Sequence, residues 1–547
     1  MKKFLATILS LCMIVSMLVI PSYAEGYTAP TSTINLTNIT NINDYGTAND
    51  IQANASKPVY KITDVAGLFK LAEISETSNL VNNTFYLAND IGSETSPIKN
   101  FPMIATKNVG NGFAGRIDGL GHTIDYLTID FPEVEKVGLI VNTDNWFGLK
   151  NLRLGNHCTI TGKKTVGSII AEFNCTNGYL DNVYSAATVT SKGDSRCGGL
   201  VGNFYTNPSN AIRNCTFAGN VKCGWSYAGG IIGIAENNYG VGVVTNCLVA
   251  KEATITNAGG GQFVGGVLGY LAGAAQISIT NCRNEASVFA QQGNAGGIIA
   301  AVSGTATATV EHCTNYGTIT GRLNIGTGGI VGRVDSAVTS VTVNNCVNHG
   351  TVTGTGDATD GSKYVAGIIG NNRSTVLVLT NNTNRGALKC IEKSEGILYG
   401  IPAATDTNNV DYSTVVQLEG YQVSKVYTNE QGKEVQDIRF VASIDSNNYQ
   451  KAGFTVTVTG DGVNRTFEKD CQYAYTQLYE NLVDEVNIIN VANYREGGYF
   501  IAYAITGIPV DQELTFAVAT YAQAIGAENA VAGEADSITY VMGTEPQ

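Results

Sequence analysis

Ile279-Thr280-Asn281-Cys282, Ala286-Ser287-Val288-Phe289 and Gly297-Ile298-Ile299 are three short apolar segments within one stretch of about twenty residues, and they decide the fold. Each is too short for a helix, and their Val, Ile and Thr content favours strands. The Asn-Cys step recurs at Asn214-Cys215, Asn246-Cys247, His312-Cys313 and Asn345-Cys346, with successive cysteines 32, 35, 31 and 33 residues apart. The column continues as Asn182-Val183 before them and Asn381-Asn382 after them. A second element keeps step with the first: Gly198-Gly199-Leu200-Val201-Gly202, Gly229-Gly230-Ile231-Ile232-Gly233, Gly265-Gly266-Val267-Leu268-Gly269, Gly296-Gly297-Ile298-Ile299-Ala300, Gly328-Gly329-Ile330-Val331-Gly332 and Ala366-Gly367-Ile368-Ile369-Gly370. With weaker copies near Gly138, Gly167 and Gly396, this makes about nine units between residues 117 and 400.

A unit of about 32 residues with three strands suits one coil of a parallel β-helix, in which coils stack at about 4.8 Å. A β-propeller blade is longer and needs four antiparallel strands. The expected fold is all-β: a right-handed parallel β-helix of about nine coils with a short N-terminal capping helix, followed by a β-sandwich. The paired apolar columns, Leu200/Val201 through Ile368/Ile369, pose a question, because neighbours on a regular strand face opposite sides. Either the Gly-Gly step bends the chain so that both enter the core, or one column forms an exposed apolar stripe.

In register, Cys215, Cys247, Cys282, Cys313 and Cys346 stack at one site. Coil spacing exceeds the Cβ separation of about 3.8 Å that a disulfide prefers, so they are expected to be reduced and to act as small hydrophobes. A linear ladder does not supply the convergent tetrahedron that zinc needs. Asn284, Asn315, Asn348 and Asn384 form a second column, expected to stabilise turns, with left-handed backbone and amide bonds to the next coil.

Outward from the repeats, Val65, Leu68, Phe69 and Ala72 follow helical spacing after a capping Thr63 or Asp64. The segment 58–110 is expected to cap the β-helix at 111–400. Lys2 and Lys3, the apolar run Phe4–Ile20 and Pro21-Ser22-Tyr23-Ala24 have the form of an export signal over 1–24. A Thr/Asn-rich linker over 25–57 follows, and no membrane span is expected after cleavage. Loss of the two lysines moves the net charge from −13 to −15. Residues 411–547 carry 19 Asp and Glu against 7 Lys and Arg. Their strand candidates, Ile438–Ile444, Gly453–Thr459, Tyr499–Ile505 and Leu514–Tyr521, suit an acidic β-sandwich. This charge excludes a nucleic-acid binder, which needs a basic field.

Gly199-Leu200-Val201-Gly202 matches a Gly-Leu-any-Gly pattern, and Gly230-Ile231-Ile232-Gly233 is a close variant. The repeat resembles the bacterial GLUG motif of surface and secreted proteins, and Phe113–Ile129 resembles the opening coil that precedes such repeats. The resemblance covers about residues 60–400 and implies an extracellular, adhesin-like β-helix without catalytic residues. Leu418–Val423 with Gln436–Asp445 is similar to an all-β module at the C-termini of secreted Gram-positive proteins.

Chemistry is sparse. Asp181, Asp194, Glu236, Glu252, Glu285, Glu311 and Asp335 are scattered single acids, whereas a polysaccharide lyase or glycoside hydrolase needs clustered carboxylates. Asp118-Gly119-Leu120-Gly121-His122 reads as a turn. Asp357 and Asp360, in the Gly354–Lys363 insertion, read as a solvated loop, with calcium as the alternative. His122, His157, His312 and His349 show no partner spacing. No cofactor and no metal are expected. Trp225, Tyr227, Phe263, Tyr270 and Tyr364 flank the Gly-Gly strands and are the candidate ligand-binding residues, offering apolar ring faces to a carbohydrate polymer, a glycan or cell-wall polymer. The expected role is a secreted, non-catalytic, adhesin-like protein. A carbohydrate-active enzyme and an envelope spacer are the alternatives.

Overall fold

The computed structural model describes residues 59–544 apart from 108, 238, 258–261, 323–324, 356–363, 387, 390–395, 412–416, 445–448, 472–487, 490–498, 525–530 and 533–534. The expected export signal, the linker, Asp357, Asp360 and Cys390 lie outside the described residues. Contacts divide the chain into two compact units, with the division between Val410 and Asp411.

The first unit is a parallel β-solenoid. One coil shows its path: Gln276–Thr280, Arg283–Asn284, Ser287–Ala290, Asn294–Gly296 and Ile299–Val302 are strands. Each pairs in parallel with its equivalents in the flanking coils. The chain thus builds five longitudinal sheets, lettered A to E in the order it visits them, of 12, 10, 9, 8 and 9 strands. Five strands per coil replace the expected three. The strand Arg283–Asn284 is only two residues long, too short to leave a period in sequence, and Gly297-Ile298-Ile299 straddles the corner between sheets D and E instead of forming one strand.

That corner answers the question of the paired columns. Leu200 and Val201 are both fully buried, as are Ile298 and Ile299. The strand Arg196–Gly198 ends and Val201–Tyr205 begins at the bend, and a Cβ on Gly198 would collide with the Val201 carbonyl. Glycine therefore permits a corner too tight for any side chain, and both apolar neighbours turn inward. The same inner space holds a ladder of rings, Phe85, Phe113, Phe147, Phe173 and Phe204, with centroids 5.3–6.2 Å apart. The helix Val65–Ser75, capped by Asp64 Oδ1 on the Gly67 amide at 2.9 Å, buries Leu68, Leu71 and Ala72 in this core.

The two asparagine columns divide the tasks that were expected of one. The left-handed residues are those beside the cysteines: Asn182, Asn214, Asn246, Asn281, His312, Asn345 and Asn381 all have φ between 51° and 55°. The column Asn284, Asn315, Asn348 and Asn384 is absent from the left-handed positions; it is buried and bonds coil to coil. The cysteines behave as expected. All ten in the described residues are free, and Cys282, Cys313 and Cys346 point their thiols at carbonyls of the preceding coil, at 3.5–3.7 Å.

The second unit contains two antiparallel sheets. One holds Gln417–Val423, Glu434–Ile444 and Tyr499–Pro509; the other holds Tyr449–Gly460, Val463–Asp470, Glu513–Ala524 and Asp536–Val541. Their inner faces share one core, in which the Phe440 and Phe516 rings lie 5.7 Å apart.

Candidate functional site: a groove along the Gly-Gly corner

Where sheets D and E meet, outward side chains of the two sheets touch, as in Lys136–Glu172, Arg196–Glu236 and Tyr227–Tyr270, and this line of contacts with its local cavity is called the corner groove. Register builds its two walls. Thr165, Arg196, Tyr227, Phe263 and Asn294 follow one another on sheet D. Glu172, Asn203, Ile234, Tyr270, Ala301, Arg333 and Asn371 do so on sheet E.

The first part of the groove is polar. Lys136 Nζ meets Glu172 Oε2 at 2.8 Å, and Glu236 Oε1 accepts from both Arg196 Nη1 and Asn203 Nδ2 at 2.8 Å. Lys164 pairs with Glu135 at 2.6 Å, and Ser226 bonds Asp194. A cavity of about 390 Å³ lies among these groups and ends at Tyr227. Burial, then the charges of Glu172 and Glu236, push the nearby Tyr205 phenol up to about 12, so it stays a hydrogen-bond donor. Glu135, Glu172 and Glu236 thus have cation partners, and Asp194 has the Ser226 hydroxyl. Asp335 is the clearest case: burial raises it, but a two-point pair with Arg333 at 2.6 and 2.7 Å wins and leaves it lowered.

The middle part is aromatic. The structure brings together three of the five sequence candidates. Tyr270 stacks on Tyr227 with centroids 4.8 Å apart and on Phe263 at 4.6 Å, with rings within 12° of parallel. Phe263 is buried against Ala300 and Ala301. The ring faces therefore cover one another in large part, and the half-buried tyrosines offer their remaining surface. Tyr364 stands further along, edge-on to Tyr399 at 5.0 Å and under the Arg373 guanidinium at 6.0 Å. Trp225 sits in the turn before the strand of Tyr227; it is 51% exposed, and its carbonyl takes the Asn257 amide.

Sequence reasoning missed the polar partners, whose signal is the coil length: Asp194–Ser226 and Asn203–Glu236 are 32 and 33 residues apart. It also missed that Asn203 and Asn294 are buried in the groove walls with side-chain oxygens lacking a hydrogen-bond partner. Among the described residues no three His, Cys, Asp or Glu side chains converge to hold a metal, and no helix is long and apolar enough to cross a membrane.

No family model matches the chain. A stretch of 151 residues, 26% of the chain, is 32% identical to halomucin of Haloquadratum walsbyi. The chain spans only about 2% of that protein's length. Among solved structures, a "putative immunoglobulin A1 protease" from Bacteroides ovatus aligns over 68% of this chain and 91% of its own, with 16% identity and a TM-score of 0.37.

Proposed function

We propose that the chain is an extracellular surface protein with GLUG-type repeats, whose Gly-Gly corner groove binds a polymeric, neutral glycan without cleaving it. The observation that carries this reading is the groove itself. It repeats coil by coil, so it suits an extended polymer better than a compact molecule. Most of its charged groups pair with one another, which leaves little net field for an anionic chain. Its tyrosines supply apolar surface beside polar donors, the combination that sugars need, and Trp225 adds an exposed ring in the turn that leads into the Tyr227 strand. The test is affinity electrophoresis of the full chain through gels containing neutral polysaccharides, with assay of the same polymers for new reducing ends. Retardation that grows with polymer length, without new ends, supports the reading. Release of sugar products would replace it with the enzymatic alternative.

A further inference from the structure

A second cavity, of about 320 Å³, lies on the outer face of sheet A, away from the Gly-Gly corner. Its floor is set by register. Arg116, Gly148 and Tyr179 follow one another in one column, and Tyr86, Asp118 and Lys150 in the next. Gly148 lets the Tyr179 ring lie flat over the sheet as one wall: a Cβ there would meet that ring at 2.5 Å. Asp118 is buried and fully engaged, accepting from Asn151 Nδ2 and the Leu120 amide at 3.0 Å and pairing with Lys150 Nζ at 3.3 Å. Arg116 is exposed and makes no ion pair among the described residues. Burial raises both tyrosine phenols, so their hydroxyls remain donors.

Trp146 stands at the lip of this cavity and has two properties that packing does not explain. It is 55% exposed, and its φ is +72°, in the left-handed region that bulky residues avoid. The residues at its register position two coils earlier and one coil later are Asn82 and Asn177, with φ of 66° and 57°. Asparagine tolerates that geometry and tryptophan does not. The turn is held regardless: the Phe147 amide reaches Asp144 O at 3.1 Å, the Trp146 amide reaches Thr176 O at 3.0 Å, and Asp144 Oδ1 accepts the Asn145 amide at 2.7 Å. Strain kept at an exposed aromatic beside a cavity is the pattern of a ligand clamp.

We propose that this cavity is a second binding site, specific for a carboxylate-bearing sugar residue. The Arg116 guanidinium takes the carboxylate, the Tyr86 and Tyr179 hydroxyls bond ring hydroxyls, and Trp146 covers one face of the sugar ring.

The experiment is calorimetric titration of the full chain with trigalacturonate and with neutral galactotriose, alongside thermal melts of the same samples. The wild type is expected to bind trigalacturonate at least tenfold more tightly than galactotriose. Trp146→Asn is expected to lose that binding while melting at a higher temperature, because the turn is relieved. Arg116→Gln is expected to abolish the preference for the acidic sugar with the melt unchanged. Failure of the wild type to distinguish the two sugars, or undiminished binding in Trp146→Asn, would overturn the site. Neither result bears on the corner groove, which shares none of these residues.

Discussion

Asn315 donates its side-chain amide to Asn348 Oδ1 at 2.7 Å, inside the solenoid, where both residues are fully buried. Asn315 also accepts from Asn284 Nδ2 at 2.8 Å and donates to Gly317 O at 3.0 Å. Each amide thus binds its own turn and the next coil. The ladder begins at Asn284, because the preceding position in the column is Val249, and Asn284 Oδ1 has no partner.

Interior and terminal members of that ladder are therefore not equivalent. Asn315→Ala breaks two inter-coil bonds: it leaves one Asn284 Nδ2 hydrogen without an acceptor, at a cost of about 1–3 kcal/mol, while Asn348 Oδ1 keeps only the longer bond from the Gly350 amide at 3.2 Å. Asn284→Ala breaks one inter-coil bond and removes an oxygen that was already unsatisfied. Thermal unfolding is expected to show a clearly larger loss for Asn315→Ala, by roughly 1–2 kcal/mol. Equal losses would mean that the ladder bonds do not carry stability.

The cysteine column makes a chemical prediction. Burial holds the Cys247 and Cys313 thiols well above their ordinary range, so neither is a nucleophile in the folded chain. Native protein is expected to react slowly with a thiol reagent. In denaturant without reductant, at least five thiols are expected to titrate. A count near one would show the ladder paired and the coil register misassigned.

Much of the solenoid was legible because repetition is a stronger signal than any single strand. The Asn-Cys and Gly-Gly elements kept one register, and both mark corners, where backbone geometry restricts residue choice. What stayed hidden lies one coil away in sequence. His122 meets Asp90 at 3.2 Å and His157 meets Asp125 at 2.9 Å, each 32 residues back, so a search for local spacing sees isolated histidines. His157 also stacks on Tyr126 at 4.1 Å, and His349 stacks on Tyr316 at 4.5 Å. Trp146 was invisible for the opposite reason. It shares a left-handed turn position with Asn82 and Asn177 but not with the intervening Ala114, and that match can be seen only when the register is known.

The His157–Asp125 pair predicts an acid response. Burial raises the Asp125 carboxyl, but the His157 side chain and the amides of Tyr126 and His157 bond it and leave it lowered overall. A carboxyl depressed in the folded state adds stability above its unfolded value, about 3.9, and that contribution fades as pH falls through the folded value. His157→Ala is expected to melt below wild type at pH 6. The gap should close on acidification through the aspartate range. A gap independent of pH would assign the effect to the Tyr126 stack alone.

The location of glycan binding can be decided by two kinds of change. If the corner groove binds the polymer, Tyr270→Ala removes the ring that bridges Tyr227 and Phe263, and Trp225→Ala removes the most exposed candidate ring. All of these side chains lie outside the solenoid interior, so the fold should persist. Loss of one aromatic contact of about 0.5–1.5 kcal/mol should weaken binding roughly two- to twelvefold in gel retardation. The competing site is the acidic unit from Asp411 onward, which would bind in a cation-dependent and salt-sensitive manner. Retardation that survives deletion of residues 411–547 and falls in Tyr270→Ala places the site in the groove. Retardation that vanishes with the deletion, and is untouched by Tyr270→Ala, makes the repeats a spacer.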